Sequence, residues 1–406
     1  MTVHQPFINL HAERCRRVLM ITGRSDIGGG PEHVYQLSKA IGESATVFIA
    51  APQEAPYWER YQSLGGPGRV LEIPHRQFSL GTIGRLARFV HAQEIDIIHA
   101  HGRAAGVMGR PAALLTGRPC IYTPHGGTPV SDLRTLVYAG AEYLLSTVTA
   151  ASVAVSRTEA QSLNGLTARR SRIEIIRNGV EIPAGVKSAE ERLSGPLRVV
   201  HVTRFVYQKN SEQLLDIIGG LHETGAAGRF EFLILGDGPG RAAFEEAAAA
   251  RGLAGYLKFT GAVRNAGDYI ARAFCMVSTS RWEGMPLALL EAMARGVPVI
   301  ASDVAGNRDA VTSEETGWLY NIGTPRSAAQ RLVQLADSRE LWIAMANGAR
   351  LRAEREFSVK KMAETTLRLY SRFQKPGIEA GSSINAAFRP AAGCAAPAAS
   401  EVQHAA

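Results

Sequence analysis

The chain has 406 residues, 46% hydrophobic and 20% charged, with 45 Lys+Arg against 37 Asp+Glu. That length carries two domains or one very large one, and the apolar fraction is too high for a largely disordered chain. Four cysteines lie far apart with no CxxC pair, which argues against a disulfide scaffold or a structural zinc site and makes a reducing cytosol the expected compartment.

The N-terminal segment has no apolar run followed by a small-residue cleavage site, so no secretory signal is expected. Short apolar runs then alternate with helix-like stretches, the pattern of a parallel α/β architecture. Strands are predicted at 17–22, 45–50, 95–101, 119–124, 152–155 and 173–177. The most lipid-like window, 135–155, is interrupted by Glu142 and diluted by Ser146, Thr147, Thr149 and Ser152. It is too polar to span a membrane and predicts a buried helix running into a buried strand. A polar stretch at 181–196, with Pro and Gly at both ends, reads as a linker. Strands resume at 197–203, 230–236, 257–260, 275–279 and 298–301. Met362, Leu367 and Tyr370 mark one last helix, and the Ala-, Ser- and Gly-rich tail 375–406 is expected to be disordered. Two Rossmann-like halves follow, with a ligand cleft beyond the C-terminal ends of their strands.

Four segments could hold a phosphate. Gly28-Gly29-Gly30-Pro31-Glu32-His33 follows the first strand and opens a helix, where backbone N–H groups can approach an anion. It is not GxGxxG, so dinucleotide binding is poorly supported. Arg204 and Lys209 follow the first strand of the second half and could neutralise a leaving diphosphate; alone they read more readily as solvated surface charges. Gly236-Asp237-Gly238-Pro239 marks another strand end. The strongest segment is Ser280-Arg281-Trp282-Glu283-Gly284-Met285-Pro286, leading into a helix whose apolar run contains Glu291. A carboxylate there needs hydrogen-bond partners, and vicinal ribose hydroxyls would serve. His101 and His125 sit at strand ends beside glycines, while His99, on the strand itself, is read as packing. No metal-ligand spacing and no DxD pair occur, so no metal and no other cofactor is expected.

In order and spacing these motifs resemble glycosyltransferase family 4, retaining nucleotide-sugar-dependent transferases of the GT-B fold, from about Val18 to Tyr370. Glu283 to Glu291 looks like the family's EX7E motif. The resemblance implies that Arg204 and Lys209 grip the donor diphosphate, Glu291 binds the ribose, and Glu283 lies near the transferred sugar. It further implies that Gly284, Met285, Pro286 and Leu287 border the phosphate or sugar. Gly29 closes from the N-terminal half, His125 reaches the sugar, and Val263 lies beside the base. The catalytic set so implied is Arg204, Lys209, Glu283 and His125. The implied division is an acceptor-binding Rossmann-like domain at 1–182, a nucleotide-sugar-binding one at 183–355, and a helix at 356–374 returning to the first.

Two departures stand out: Asn210 follows Lys209 where the family has Gly, and Arg308 and Asp309 stand in the segment that usually reads GGxxE. The implied activity is retaining transfer of a hexosyl or N-acetylhexosaminyl unit from a UDP- or GDP-sugar to a glycan or lipid-linked acceptor, independent of metal. A GT-B nucleotide-sugar epimerase and a non-catalytic sugar-nucleotide-binding subunit remain as alternatives. The net charge of +8 fits a diphosphate ligand and suggests a cytoplasmic protein seated on the anionic inner leaflet, with Arg85 and Arg88 at 83–90 as a candidate contact. No zinc-finger, RNP-like or long basic segment supports nucleic acid as a partner.

Overall fold

The computed structural model describes residues 16–126, 133–164 and 172–373. The first half is a seven-stranded sheet ordered β3-β2-β1-β4-β5-β6-β7, every pair parallel. Its strands are β1 (Arg16–Thr22), β2 (Ala45–Ala51), β3 (Val70–Glu72), β4 (Ile97–His101), β5 (Cys120–Thr123), β6 (Ala151–Ala154) and β7 (Arg172–Ile175). The second half is a six-stranded sheet ordered β10-β9-β8-β11-β12-β13. It comprises β8 (Leu197–Val202), β9 (Phe230–Leu235), β10 (Leu257–Gly261), β11 (Cys275–Ser278), β12 (Val299–Ser302) and β13 (Gly317–Tyr320).

Each sheet is covered on both faces, which is why its strands read as unbroken apolar runs. In β1, Val18 and Met20 enter one core while Leu19 and Ile21 enter the other, as the two-residue period requires. Val199 and Val200 of β8 divide between two cores in the same way. Helices α1 (Gly29–Ile41), α2 (Tyr57–Gly65), α3 (Leu80–Ala92), α4 (Arg103–Thr116), α5 (Leu133–Ser146) and α6 (Arg157–Asn164) belong to the first half. In the second are α7 (Ala189–Leu193), α8 (Glu212–Glu223), α9 (Arg241–Ala250), α10 (Ala266–Ile270), α11 (Leu287–Ala294), α12 (Ala305–Ala310), α13 (Arg326–Asp337) and α14 (Arg339–Glu356).

The last helix, α15 (Val359–Ser371), crosses back: Met362, Ala363, Leu369 and Tyr370 sit in the same core as Val18 and Met20. The two crossings of the chain between the halves run side by side. Val180 N–H donates to the Phe357 carbonyl at 2.8 Å, and Val359 N–H donates to the Val180 carbonyl at 3.1 Å. A Cβ on Gly179 would lie 2.7 Å from Val359 Cα, so only glycine fits where the crossings touch.

Several expectations need correcting. The 135–155 window gives a buried strand, β6, but its helix is half exposed: Val137, Tyr143 and Leu144 face out. Glu142 turns inward instead, because Arg110 meets it with two hydrogen bonds of 2.6 and 2.9 Å and stacks on Tyr122. The expected linker contains α7, started by a capping box between Ser188 and Glu191 and held by Arg192 donating to the Gly296 and Arg295 carbonyls. Strands β3 and β13 were not predicted. The apolar residues of 83–90 (Ile83, Leu86 and Val90) are buried in the core, leaving Arg85 and Arg88 on a solvated face. No described helix is long and apolar enough to cross a membrane. The tail 375–406 lies outside the described residues.

Candidate active site

In each sheet the strand order reverses beside its first strand: β1 is flanked by β2 and β4, and β8 by β9 and β11. These are the switch points at which open α/β sheets bind ligands. The two face each other across a cleft of about 1870 Å³ lined from both halves. The residues that the resemblance implies for the site all line it: Gly29, His125, Arg204, Lys209, Val263, Glu283, Gly284, Met285, Pro286, Leu287 and Glu291.

On the C-terminal side, Arg204 follows β8 and its guanidinium is half-buried. Desolvation, with Arg24 and Arg76 close by, lowers its pKa, and Asp26 partly offsets this. Lys209 closes a short 3-10 turn, and its Nζ donates to Glu283 Oε1 at 2.6 Å. Ser280 Oγ donates to the same oxygen at 2.6 Å. Asn210 has φ +49°, the left-handed conformation that glycine adopts freely and asparagine tolerates best among other residues. The departure from Gly therefore preserves the turn. Pro286 is the N-cap of α11, not a first-turn residue, and no side chain caps this end. The residues that open this helix, Leu287 and Ala288, line the cleft, and an uncapped helix N-terminus there suits an anion. Glu291, one turn on, accepts no side-chain hydrogen bond among the described residues, and burial pushes its carboxyl up to about 7.

On the N-terminal side, the glycine loop brings Gly29 so close to α11 that a Cβ there would touch Leu287 Cδ1 at 3.8 Å. His125 has φ +57°, a conformation rare outside glycine, asparagine and aspartate, and the carboxylate of Glu159 ties the turn down. Glu159 accepts from Gly126 N–H at 2.5 Å and from Val155 N–H at 2.7 Å. Behind His125 lies a histidine stack. His101 Nδ1 is 3.1 Å from His125 Nε2, and His99 bonds Tyr370 Oη at 2.7 Å and Thr123 Oγ1 at 2.8 Å. Burial depresses all of these imidazoles, to about 4 for His33 and about 3 for His99, so they are neutral.

The ligand nitrogens of His33, His101 and His125 lie within 4.8 Å of one another, a grouping with metal-binding chemistry. Sequence spacing could not show it, since three different elements supply the residues. The 3.1 Å separation of two of these nitrogens is a hydrogen-bond length, so the pair is held by a shared proton.

Other residues were missed. Asn178, from the Asn-Gly turn, joins His33 Nδ1 at 2.9 Å to the Met285 carbonyl at 2.8 Å, linking the two halves beneath the cleft. Its signal was the Asn-Gly pair itself, read only as a turn. Arg24 and Arg76 also line the cleft. Conversely, Arg308 pairs with Asp303 on the surface, and Asp309 accepts from Thr158 N–H and Oγ1 at 3.2 Å. Neither residue is among those lining the cleft.

Two doubly wound halves whose strand ends, cations and uncapped helix share one cleft are the architecture of a GT-B glycosyltransferase. The family described as Glycosyltransferase Family 4 matches residues 27–182, and that described as Glycosyl transferases group 1 matches residues 196–338. The chain belongs to glycosyltransferase family 4. It is 28% identical over 300 residues to the UDP-Gal:alpha-D-GlcNAc-diphosphoundecaprenol alpha-1,3-galactosyltransferase of Escherichia coli, covering 70% of this chain and 77% of that protein. It is 28% identical over 369 residues to the phosphatidyl-myo-inositol mannosyltransferase of Mycobacterium leprae, covering 84% and 92%. The crystal structure of Anabaena HepE with UDP and glucose superposes with a TM-score of 0.77 at 18% identity, covering 88% of this chain and 100% of HepE, a likeness of fold.

Proposed function

We propose that this glycosyltransferase transfers a hexosyl or N-acetylhexosaminyl unit, with retention of configuration, from a UDP- or GDP-sugar to a glycan or lipid-linked acceptor. Surface polysaccharide, lipopolysaccharide or glycolipid assembly is the setting, with the acceptor held by the first half (1–182) and the donor by the second (183–355). The observation that carries this reading is the meeting of Arg204, Lys209 and the uncapped N-terminus of α11 in one cleft with Glu291. UDP is the first base to test, because the Escherichia coli relative is named for UDP-Gal and HepE was crystallised with UDP.

In this reading the donor diphosphate lies between Arg204, Lys209 and the first amides of α11. Glu291 accepts the ribose hydroxyls, and Val263 borders the base. Gly29 meets the diphosphate from the opposite wall, and His125 meets the sugar. As the bond from the anomeric carbon to the diphosphate oxygen lengthens, charge builds on that oxygen and the two cations stabilise it. The same oxygen takes the proton of the acceptor hydroxyl attacking from the same face, so no protein nucleophile is required. Glu283, held by Lys209 and Ser280, positions the ammonium beside the developing charge. Closing the halves keeps water from the oxocarbenium-like sugar.

The test is incubation with panels of UDP- and GDP-sugars and candidate acceptors, with and without EDTA. We expect nucleotide release that survives EDTA, disappears in Arg204→Ala, and yields a product whose anomeric configuration by NMR matches the donor. Interconversion of sugars without nucleotide release would make the protein an epimerase, and binding without turnover a non-catalytic subunit.

A further inference from the structure

Three imidazoles meet on the N-terminal side of the cleft, and their partners fix where each carries its proton. Asn178 Nδ2 donates to the Met285 carbonyl, so Asn178 Oδ1 is the atom that faces His33, and it can only accept. His33 Nδ1, 2.9 Å away, therefore donates, and its Nε2 keeps a lone pair. His101 Nε2 lies 3.4 Å from Met20 Sδ, and a thioether accepts but never donates. The proton of His101 is accordingly on Nε2, and its Nδ1 is bare. In the 3.1 Å contact between His101 Nδ1 and His125 Nε2, the proton thus belongs to His125. Two of the three residues already present a bare nitrogen. One tautomer change at His125, from Nε2–H to Nδ1–H, supplies the third.

The spacing suits an ion as well as a proton. Zinc holds imidazole nitrogens at about 2.0–2.1 Å, which sets two ligands of a tetrahedron roughly 3.3 Å apart. The 3.1 Å pair is close to that edge. The three ligand nitrogens lie within 4.8 Å of one another, so closing the set asks for a ring rotation at His125 and a shift of His33 by about 1.5 Å or less. The outer hydrogen bonds to Asn178 and Met20 are of the kind that orient metal-ligating histidines. An ion can reach the group, since His101 and His125 line the cleft and His125 is only half-buried. Three imidazoles with no carboxylate among them suit Zn²⁺ and Co²⁺ and do not suit the hard ion Mg²⁺.

We propose that His33, His101 and His125 bind Zn²⁺ in place of the proton between His101 and His125, and that the bound ion inhibits transfer. Water from the cleft completes the tetrahedron. The inhibition rests on the functional reading above, because the ion takes the nitrogen of the histidine assigned to the sugar; the binding rests on the three residues alone. Transfer itself makes no use of the ion, so EDTA protects activity.

The test uses the full chain without a histidine tag, stripped of metal, titrated with Zn²⁺ by calorimetry and with Co²⁺ by visible absorption. One Zn²⁺ should bind per chain, Co²⁺ should give the intense visible bands of tetrahedral coordination, and Mg²⁺ should do neither. His33→Gln and His125→Asn should each weaken Zn²⁺ by at least about tenfold and abolish the cobalt bands. Asparagine tolerates the φ of +57° at position 125, and a cooperative thermal melt shows that each variant is folded. His222→Gln, on the exposed side of α8, should change neither titration. No Zn²⁺ binding by the parent, or undiminished binding by a folded His33→Gln or His125→Asn protein, overturns the proposal. With donor and acceptor present, the parent should lose transfer as Zn²⁺ fills the site and regain it with EDTA. Whatever transfer His33→Gln retains should be at least about tenfold less sensitive to Zn²⁺. Full transfer by the zinc-saturated parent overturns the inhibition. If the metal-free protein transfers no sugar at all, the functional reading falls, and the two titrations still decide the site.

Discussion

Lys209 Nζ lies 2.6 Å from Glu283 Oε1, so the cation proposed to hold the donor is engaged by a carboxylate of the protein's own. Both side chains are largely shielded, and such a pair is far less screened than a surface one. An arriving diphosphate therefore competes with Glu283 for Lys209. Lys209→Ala should lower kcat about 10²–10³-fold, the usual cost of one transition-state electrostatic contact. Glu283→Gln should tighten UDP binding while lowering kcat, because it frees the ammonium but loosens its placement. Titration calorimetry with UDP beside steady-state kinetics separates the two effects.

Glu291 gives a pH signature. Its folded-state pKa is raised from 4.5 to about 7 by burial, so the folded protein holds a proton there that the unfolded chain has released. Its contribution to stability is accordingly lost as pH rises between these values. Glu291→Gln should melt higher than the parent at pH 8, by at most about 3 kcal/mol, and differ little at pH 4.5. UDP affinity should rise from pH 6 to pH 8 in the parent, as the carboxylate forms and accepts the ribose hydroxyls, and stay flat in the variant. Opposite slopes for stability and affinity would identify a residue kept for binding.

The histidine stack has the reverse sign. Folded pKa values of about 4 for His33 and about 3 for His99 lie below the ordinary 6.5, so the unfolded chain takes up protons the folded one refuses. Stability should be fully present above pH 6.5 and fall as pH drops toward 4. Thermal melts of His99→Gln between pH 4 and 7 should show a shallower acid decline than the parent.

At Gly179 the argument is steric. A methyl group there would sit 2.7 Å from Val359 Cα and 2.8 Å from the Ser358 carbonyl, both backbone atoms that cannot swing away. Gly179→Ala should cost about 1–3 kcal/mol of stability, typical of overpacking. A denaturant titration measures it, and an unchanged midpoint would mean that the crossings are loosely held.

Much of the C-terminal wall of the cleft was legible because its residues are consecutive. Glu283 through Glu291 occupy one loop and one helix, so sequence order already places them together. The N-terminal wall was legible only at Gly29 and His125; the grouping of His33, His101 and His125 was not, since they come from α1, the end of β4 and the turn after β5, and only the strand order brings them together. Burial direction was the other blind spot. Glu142 looked like an interruption in a buried apolar helix, yet it points inward because Arg110, 32 residues earlier, waits there. Arg308 stood out as a departure from the GGxxE segment, but its partner Asp303 draws it to the surface.

The paired crossings at Val180 and Ser358 bear on how the cleft can move. Two strands of chain fastened to each other at one place behave as a single pin: the halves can swing about it, while sliding or twisting would break backbone hydrogen bonds. Opening and closing then reduces to one rotation, and residues far from the pin sweep the widest arc. Because α15 is anchored in the N-terminal core on one side of that pin, the second half cannot drift away as a tethered domain would. The two walls of the cleft should therefore return to the same alignment on every cycle.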